Sequence, residues 1–475
     1  MERMLLFAIL TPVLGAFLLP LFGLYSSKVR NVFAFVLVFL SFITSTLLLG
    51  PILSGKTTTV FVPAVFGMDL IFSADALGVF MALASTFIGM LIIFYSLGYI
   101  HHQSNQNEYY FLVVLFLGAM VGLAYSNNLI FIYLFWEISA FACWRLIGFY
   151  REPHIILKAD KAFLVTVFGA LAMLLGFIIL YNEYGSFDLR VLHGMVAPDL
   201  AVLLIMFGIF SKSATLPFHT WLPDAGVAPS PVTALLHAAV LVKIGVFVFA
   251  RVFVGSLTMG PIWGQVLPIV VALSTLVAGG AALVETDIKR IIAYSTVSQL
   301  AFIFLGLFMN SQLAVAGALL YILMHGLAKA GLFLCAGIVE HNIHTKDIRQ
   351  MGGFLKTMPV TAFSFAFCAL SVMGIPPFGG FFSKYMVIAG AIEGGNPWIA
   401  GIFILSAFLT VLYLIRVFAV VFLGELKLPD AKEGTKGMLW AVAILAGLSL
   451  ISGFLIRFPS EFIQIAVRQM VGIEL

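Results

Sequence analysis

About fourteen apolar segments follow one another along this chain, most of them long enough to cross a bilayer, and that succession leaves few folds open. Hydrocarbon offers no partner to a backbone N–H or C=O, so a spanning segment must satisfy its own, and a helix of about 20 residues does so. The expected fold is therefore an all-α polytopic membrane protein of about 14 transmembrane helices. The segments fall near residues 3–25, 30–50, 74–100, 109–126, 128–150, 160–182, 199–223, 230–254, 261–284, 290–309, 312–340, 358–390, 397–423 and 437–457. With 62% hydrophobic and only 10% charged residues, an ordinary soluble protein is excluded. The first segment, Met4 to Leu24, lacks a charged n-region and a small-residue cleavage site, so a retained helix is expected and not a signal peptide.

The loops carry their basic residues unevenly. Lys28, Arg30, Arg151, Lys158, Lys161, Lys289, Arg290, Lys346, Arg349, Lys356, Lys427, Lys432 and Lys436 fall on one face, thirteen against six on the face that holds both termini. Basic residues favour the cytoplasmic side, so both termini are expected outside. The net charge of +4 forms no basic stripe and gives no reason to expect nucleic acid. Cys143, Cys335 and Cys368 stand apart on three apolar segments and read as buried structural thiols, so no iron–sulfur cluster is expected in this chain. The sequence has no Gly-rich phosphate loop, nucleophile elbow or H-E-x-x-H pair, which argues against chemistry on a covalent substrate.

What remains is a set of protonatable side chains inside apolar segments. Lys212 ends the run that starts at Ala201, and Pro217 soon follows, freeing backbone carbonyls. Such a charge costs about 2.5–3.5 kcal/mol at a helix centre, so the pair reads as a site lining an ion pathway; the competing reading is a lysine snorkelling to the interface. On the fifth segment, Glu137 needs neutrality or a cation from another helix. Lys212 is the natural partner, unless Glu137 simply reaches solvent from near its helix end. Between Pro217 and Pro231 the chain is too Pro-rich for continuous helix, so a helix broken near Pro217 and packed inside protein is expected. The next helix carries His237 and Lys243, about 120° apart at 100° per residue and so free to face different neighbours. His237 reads either as a structural histidine or as a relay.

The second half repeats the pattern. His325 and Lys329 sit at i and i+4 on one helical face, where a proton could pass directly or through water. Gly374-Ile-Pro376-Pro377-Phe-Gly379-Gly380 then breaks a helix just before Lys384. Two interrupted helices, each with a lysine, in corresponding halves point to inverted repeats with midplane sites. Asp75, Arg145 and Arg416 read as interface anchors or local ion pairs, and Trp221, Trp398 and Trp440 as interfacial belt residues.

Several of these stretches resemble a known family. Lys212-Ser-Ala-Thr-Leu-Pro-Phe-His-Thr-Trp-Leu-Pro-Asp-Ala, Ala234-Leu-Leu-His-Ala, Thr286-Asp-Ile-Lys-Arg with Ala293-Tyr-Ser-Thr-Val-Ser-Gln299, His325-Gly-Leu-Ala-Lys-Ala and Gly374-Ile-Pro-Pro resemble the antiporter-like subunits of respiratory complex I and of Mrp-type sodium/proton antiporters. Lys161-Ala-Phe-Leu-Val-Thr and His237-Ala-Ala-Val-Leu-Val-Lys resemble most the largest members, the A-type chain of Mrp antiporters and the distal pumping chain of complex I.

The resemblance implies a fourteen-helix core with two inverted five-helix repeats, each holding one broken helix. Helices one to three would occupy 1–100, the first half 101–254, the second half 255–423, and helix fourteen with a tail 424–475. It implies a proton relay in which Glu137 and Lys212 are the input pair, His237 and Lys243 the link, His325 and Lys329 the centre and Lys384 the exit. It places the chain in the plasma membrane of a prokaryote, among lipids, other antiporter-like subunits and small membrane subunits. The large members of the family continue further, whereas this chain stops at Leu475. A bare core of this kind also resembles subunits of energy-converting membrane-bound hydrogenases, formate hydrogenlyases and sulfur-reducing complexes, which add a soluble redox arm. The expected function is a proton- or cation-translocating subunit of such a redox-driven complex. It would have no cofactor of its own, with iron–sulfur clusters, and in some complexes nickel–iron, in its partners. The alternatives are a component of a Mrp-type secondary antiporter and a subunit that only scaffolds assembly. Lysines and histidines with one glutamate favour protons over sodium, which wants several oxygen ligands.

Overall fold

The computed structural model describes residues 1–62, 69–309 and 311–471, so the end of the expected tail, to Leu475, lies outside the described residues. Among these, twelve helices are long and apolar enough to cross a membrane. Six precede the first break: α1 (Glu2–Tyr25), α2 (Ser27–Leu53), α3 (Ala76–Tyr99), α4 (Gln106–Tyr125), α5 (Leu129–Ile147) and α6 (Pro153–Tyr184). The shorter α7 (Asp199–Lys212) stops at its lysine, and the chain continues through turns at Phe218–Thr220 and Trp221–Asp224. Then come α8 (Ser230–Val254), α9 (Trp263–Val284), α10 (Ile288–Phe308) and α11 (Gln312–Ile343). The second interrupted segment is α12 (Pro359–Met373) and α13 (Gly379–Glu393). Helices α14 (Pro397–Phe422) and α15 (Lys436–Phe454) follow, with the amphipathic α16 (Arg457–Val471) last. The fold is all-α in the membrane, and the two expected spans missing from the twelve are the two broken ones. Sequence reading overlooked both the helix α16, which falls in the expected tail, and a pair of antiparallel strands, Thr58–Val62 with Leu70–Ala74, between α2 and α3.

Contacts among the loops sort the chain into two faces. At one, Lys161 and Arg290 both hold Asp224, at 2.8 and 2.6 Å, and Lys289 and Lys346 both hold Glu340, at 3.0 and 3.3 Å. This is the face of the basic loops. At the other, Asp75 pairs with Arg251, His193 Nδ1 meets the Gly255 carbonyl at 3.1 Å, and Ser311 donates to Glu393 at 3.2 Å. The start of α1, by Thr58, and α16, whose Gln469 accepts from the Ala76 N–H, both lie on this second face.

These faces give the halves their relation. Helices α6 and α11 are each 32 residues long and each packs along the broken helix that follows it. Lys161 puts the start of α6 at the basic face, whereas Glu340 puts the end of α11 there, so the two run in opposite directions. The same inversion accounts for the order of lysine and break. The chain runs toward the basic face through α7 and away from it through α12 and α13; Lys212 before its break and Lys384 after its own therefore lie on the same side of both. Packing at the second break is close. A β-carbon on Gly380 would collide with the Ser371 carbonyl, and one on Gly453 of α15 with that of Pro377, so both positions use glycine to let backbones approach.

Lipid exposure is also divided. Leu164, Phe168, Leu171 and Leu175 of α6 project outward, as do Ile404, Leu405, Phe408 and Leu412 of α14. Helices α10 and α11 are almost wholly enclosed, so polar groups on them face protein and not lipid.

Candidate functional site

Lys212, the last residue of α7, is fully buried. Its Nζ donates to the Trp136 carbonyl at 3.2 Å and lies 5.2 Å from the centre of the Trp136 ring. Glu137 is the next residue of α5, yet among the described residues no ion pair joins it to Lys212. The expected input pair are neighbours through Trp136. Trp221 departs from its expected place in the interfacial belt. It is fully buried, and its Nε1 donates to the Ser211 carbonyl at 2.9 Å, satisfying a backbone acceptor that the break leaves open. Trp398 and Trp440 are exposed.

On α8 the backbone widens to a π-helical turn over Leu235–Ala239, centred on His237, and closes through an irregular Val240. Such turns release carbonyls from the helical ladder. The Ala238 carbonyl accepts from Lys243 Nζ. His237 is fully buried, 4.4 Å from the Phe333 ring of α11, and neither of its ring nitrogens has a hydrogen-bond partner among the described residues. Lys243 reaches Gly326 of α11, where a β-carbon would stand 3.1 Å from its Nζ. That places the end of Lys243 beside the residue next to His325 in α11.

His325 and Lys329 share a face of α11 as expected, but they do not bond each other. Lys329 Nζ instead donates to the Ile292 carbonyl at 3.1 Å and to Ser295 Oγ at 2.6 Å, both on α10. From Ser295 a chain of hydroxyls and an amide leads on. Tyr413 OH of α14 donates to Ser295 Oγ at 2.9 Å and lies 3.2 Å from Thr410 Oγ1, and Gln299 Nε2 donates to Thr410 Oγ1 at 3.0 Å. Tyr321 OH closes the chain on Gln299 Oε1 at 2.7 Å, and the Tyr321 ring lies 5.6 Å from that of His325. Lys384 lies 5.7 Å from the same Tyr321 ring and 4.6 Å from Phe302, with Nζ donating to the Val372 carbonyl at 2.8 Å. Ser295, Tyr413, Thr410, Gln299 and Tyr321 thus form a hydrogen-bonded chain from Lys329 to the ring that Lys384 approaches, and sequence reading did not single out Tyr321, Thr410 or Tyr413. Ser295 and Gln299 fall inside the stretch from Ala293 that carries part of the family resemblance, which was the available signal.

Of the other charged groups singled out in sequence, Arg145 and Asp75 form local ion pairs and Arg416 binds backbone carbonyls. Arg145 Nε donates to Glu108 at 3.0 Å, Arg416 donates to the Ala282 carbonyl at 3.2 Å, and Asp75 holds Arg251. Cys143, Cys335 and Cys368 are free and buried.

Residues 126–410, which contain every member of the row from Glu137 to Lys384, match the family described as NADH:quinone oxidoreductase/Mrp antiporter, transmembrane. The chain belongs to that family. Residues 62–110 match the N-terminus of complex I chain 5. Among curated relatives, the A-type chain of the Na(+)/H(+) antiporter of Alkalihalophilus pseudofirmus is 34% identical over 504 residues, covering 95% of this antiporter-family chain and 61% of its own length. The A1-type chain of the Na(+)/H(+) antiporter of Staphylococcus haemolyticus is also 34% identical, with 96% and 61% covered. The chain therefore spans about three fifths of these relatives. The antiporter-like fold is shared with a chain of the Mrp complex from Dietzia sp., at a TM-score of 0.88 and 20% identity, covering 99% of this chain and 98% of that one. It is shared too with a chain of the membrane-bound sulfane sulfur reductase, an archaeal respiratory membrane complex, at 0.89 and 21%, with the same coverage.

Proposed function

We propose that this chain is a proton-translocating subunit of a multi-subunit membrane complex, and that Glu137, Lys212, His237, Lys243, His325, Lys329 and Lys384 take up and release the proton in turn. One observation carries the reading. Four lysines and two histidines lie buried in one row, and among the described residues none of those four lysines has an ion-paired carboxylate. Desolvation and mutual repulsion keep such groups from all being charged at once, so a proton arriving at one favours departure from the next.

In this reading the two broken segments bring the crossings to fourteen, and residues 101–254 and 255–423 act as the two halves. Both termini stand outside a prokaryotic plasma membrane. Two drives fit the row. In a redox-driven complex, supported by the sulfur reductase fold match, clusters of iron and sulfur would reside in partner subunits and a soluble arm. In a sodium/proton antiporter, supported by the 34% identity to the Na(+)/H(+) antiporter chain of Alkalihalophilus pseudofirmus, an existing gradient would supply the work.

Everted membrane vesicles loaded with a pH-sensitive dye test both layers. Lys212→Ala and Glu137→Gln are expected to leave the assembled complex at normal abundance and abolish proton movement; unchanged movement would return the chain to a scaffold. Movement started by an electron donor without sodium indicates the redox drive, and movement started by sodium without a donor indicates the antiporter.

A further inference from the structure

The proton row described above ends inside the protein, yet one half-buried carboxylate outside it reaches the basic face. Glu340, near the end of α11, gathers three donors: Ser230 Oγ and Lys289 Nζ each at 3.0 Å on Oε2, and Lys346 Nζ at 3.3 Å on Oε1. Its side chain keeps 18% exposure, while Lys289 is fully enclosed. Lys289 was counted among the basic residues of the loops; burial and this pairing make it part of an interior site.

Two helical stripes lead inward from Glu340. On α8, Ser230, Thr233 and His237 follow one another at i, i+3 and i+7 into the π-helical turn, and all three are buried. Thr233 Oγ1 bonds the Ala228 carbonyl at 3.2 Å, the same carbonyl that accepts from Lys289 Nζ at 2.8 Å. On α11, Glu340 lies eleven residues beyond Lys329, about 20° from it around the axis at 100° per residue. Between them Phe333 packs on His237, whose two ring nitrogens are without partners among the described residues.

We propose that Glu340 is the group through which the row exchanges protons with the basic face, and that Lys289 and Lys346 form the latch that holds it between turnovers. This rests on the proton-translocating reading. A proton from the basic face adds to the Glu340 carboxylate, giving the neutral acid and loosening both lysines. The acid then gives up that proton to the Ser230 and Thr233 hydroxyls, each accepting one proton as it releases its own, with water bridging the gaps. His237 takes the proton on a ring nitrogen, and the regenerated carboxylate closes on Lys289 again. The groups facing Glu340 from the surrounding elements are Lys289 of α10, Lys346 beyond α11, Tyr95 and Tyr99 of α3, and Tyr150 beyond α5. His341 stacks on Tyr99 with ring centres 5.3 Å apart.

The test uses the intact complex in liposomes, with pH varied separately on each side, and compares wild type with Glu340→Gln, Glu340→Asp and Lys212→Ala. Glu340→Gln is expected to slow turnover about a hundredfold at normal complex abundance, the low end of what a positioned acid–base group contributes. Glu340→Asp should restore most of the rate, with its pH–rate profile displaced only along the pH of the basic face. A wild-type rate and an unmoved profile for Glu340→Gln overturn the proposal. If Glu340→Gln fails to assemble, the Glu340→Asp profile decides: displacement supports the role and an unmoved profile overturns it. Lys212→Ala separates the two levels. Unchanged transport there removes the row and Glu340's role with it, whereas lost transport there beside a silent Glu340→Gln removes Glu340 alone.

Discussion

Each buried lysine of the row rests on a backbone carbonyl: Lys212 on Trp136, Lys243 on Ala238, Lys329 on Ile292 and Lys384 on Val372. A carbonyl accepts a hydrogen bond from an ammonium and from a neutral amine alike, whereas a carboxylate would bind the charged form and hold it. The side chain therefore keeps its place in both protonation states, which suits a relay. Tyr413 is the hydroxyl that ties Lys329's partner Ser295 to the chain leading toward Tyr321, so Tyr413→Phe should slow proton transport about tenfold, equivalent to about 1.4 kcal/mol on the barrier. Stopped-flow dye measurements on the assembled complex would check it. The burial of the row's lysines and histidines was legible in sequence because each stands inside an apolar run. That of Glu340 and Lys289 was not, since a carboxylate and a lysine near loop ends look solvated until the fold encloses them. Tyr413 and Thr410 were hidden for a related reason: hydroxyls are common in apolar helices, and only tertiary contact separates a network member from a residue bonded to its own helix.

At the scale of elements, the two breaks do most to position the row. Proline and glycine announce both, so their places could be read from sequence. The π-helical turn at His237 could not, because Leu235–Ala239 contains neither residue and the widening answers to packing. Trp221 was misread for the same reason, as its burial depends on the break folding back over α7. The close approach at the second break supplies a stability test. Gly380→Val should destabilise by about 1–3 kcal/mol through overpacking against the Ser371 carbonyl, lowering the thermal midpoint of the solubilised complex and its abundance in membranes. Gly401 has open space where a β-carbon would go, so Gly401→Ala serves as the control with little change.

Across the whole molecule, the succession of apolar runs and the bias of basic residues allowed both the class of fold and the grouping of loops to be read before any contact was known. The inverted relation of α6 and α11 needed the contacts at Asp224 and Glu340 to become visible. Asp224 is also the tie that binds three elements at the basic face. Burial raises its pKa, but hydrogen bonds from Lys161 and Arg290 outweigh that and hold the carboxyl below its ordinary range. A lowered folded value means that the stabilisation is complete above the unfolded pKa of about 3.9 and is lost as pH falls through the folded one. Asp224→Asn should therefore lower the thermal midpoint at neutral pH, and the gap from wild type should close in strongly acidic buffer.

Lys329, bonded to α10 at the centre of the enclosed row, is where proton movement through that row is most open to challenge. Proton flux should be measured in liposomes holding equal amounts of the wild-type and Lys329→Gln complexes. A relay that runs through Lys329 requires an assembled variant complex with flux reduced to the leak of empty liposomes; wild-type flux through Lys329→Gln would rule that relay out.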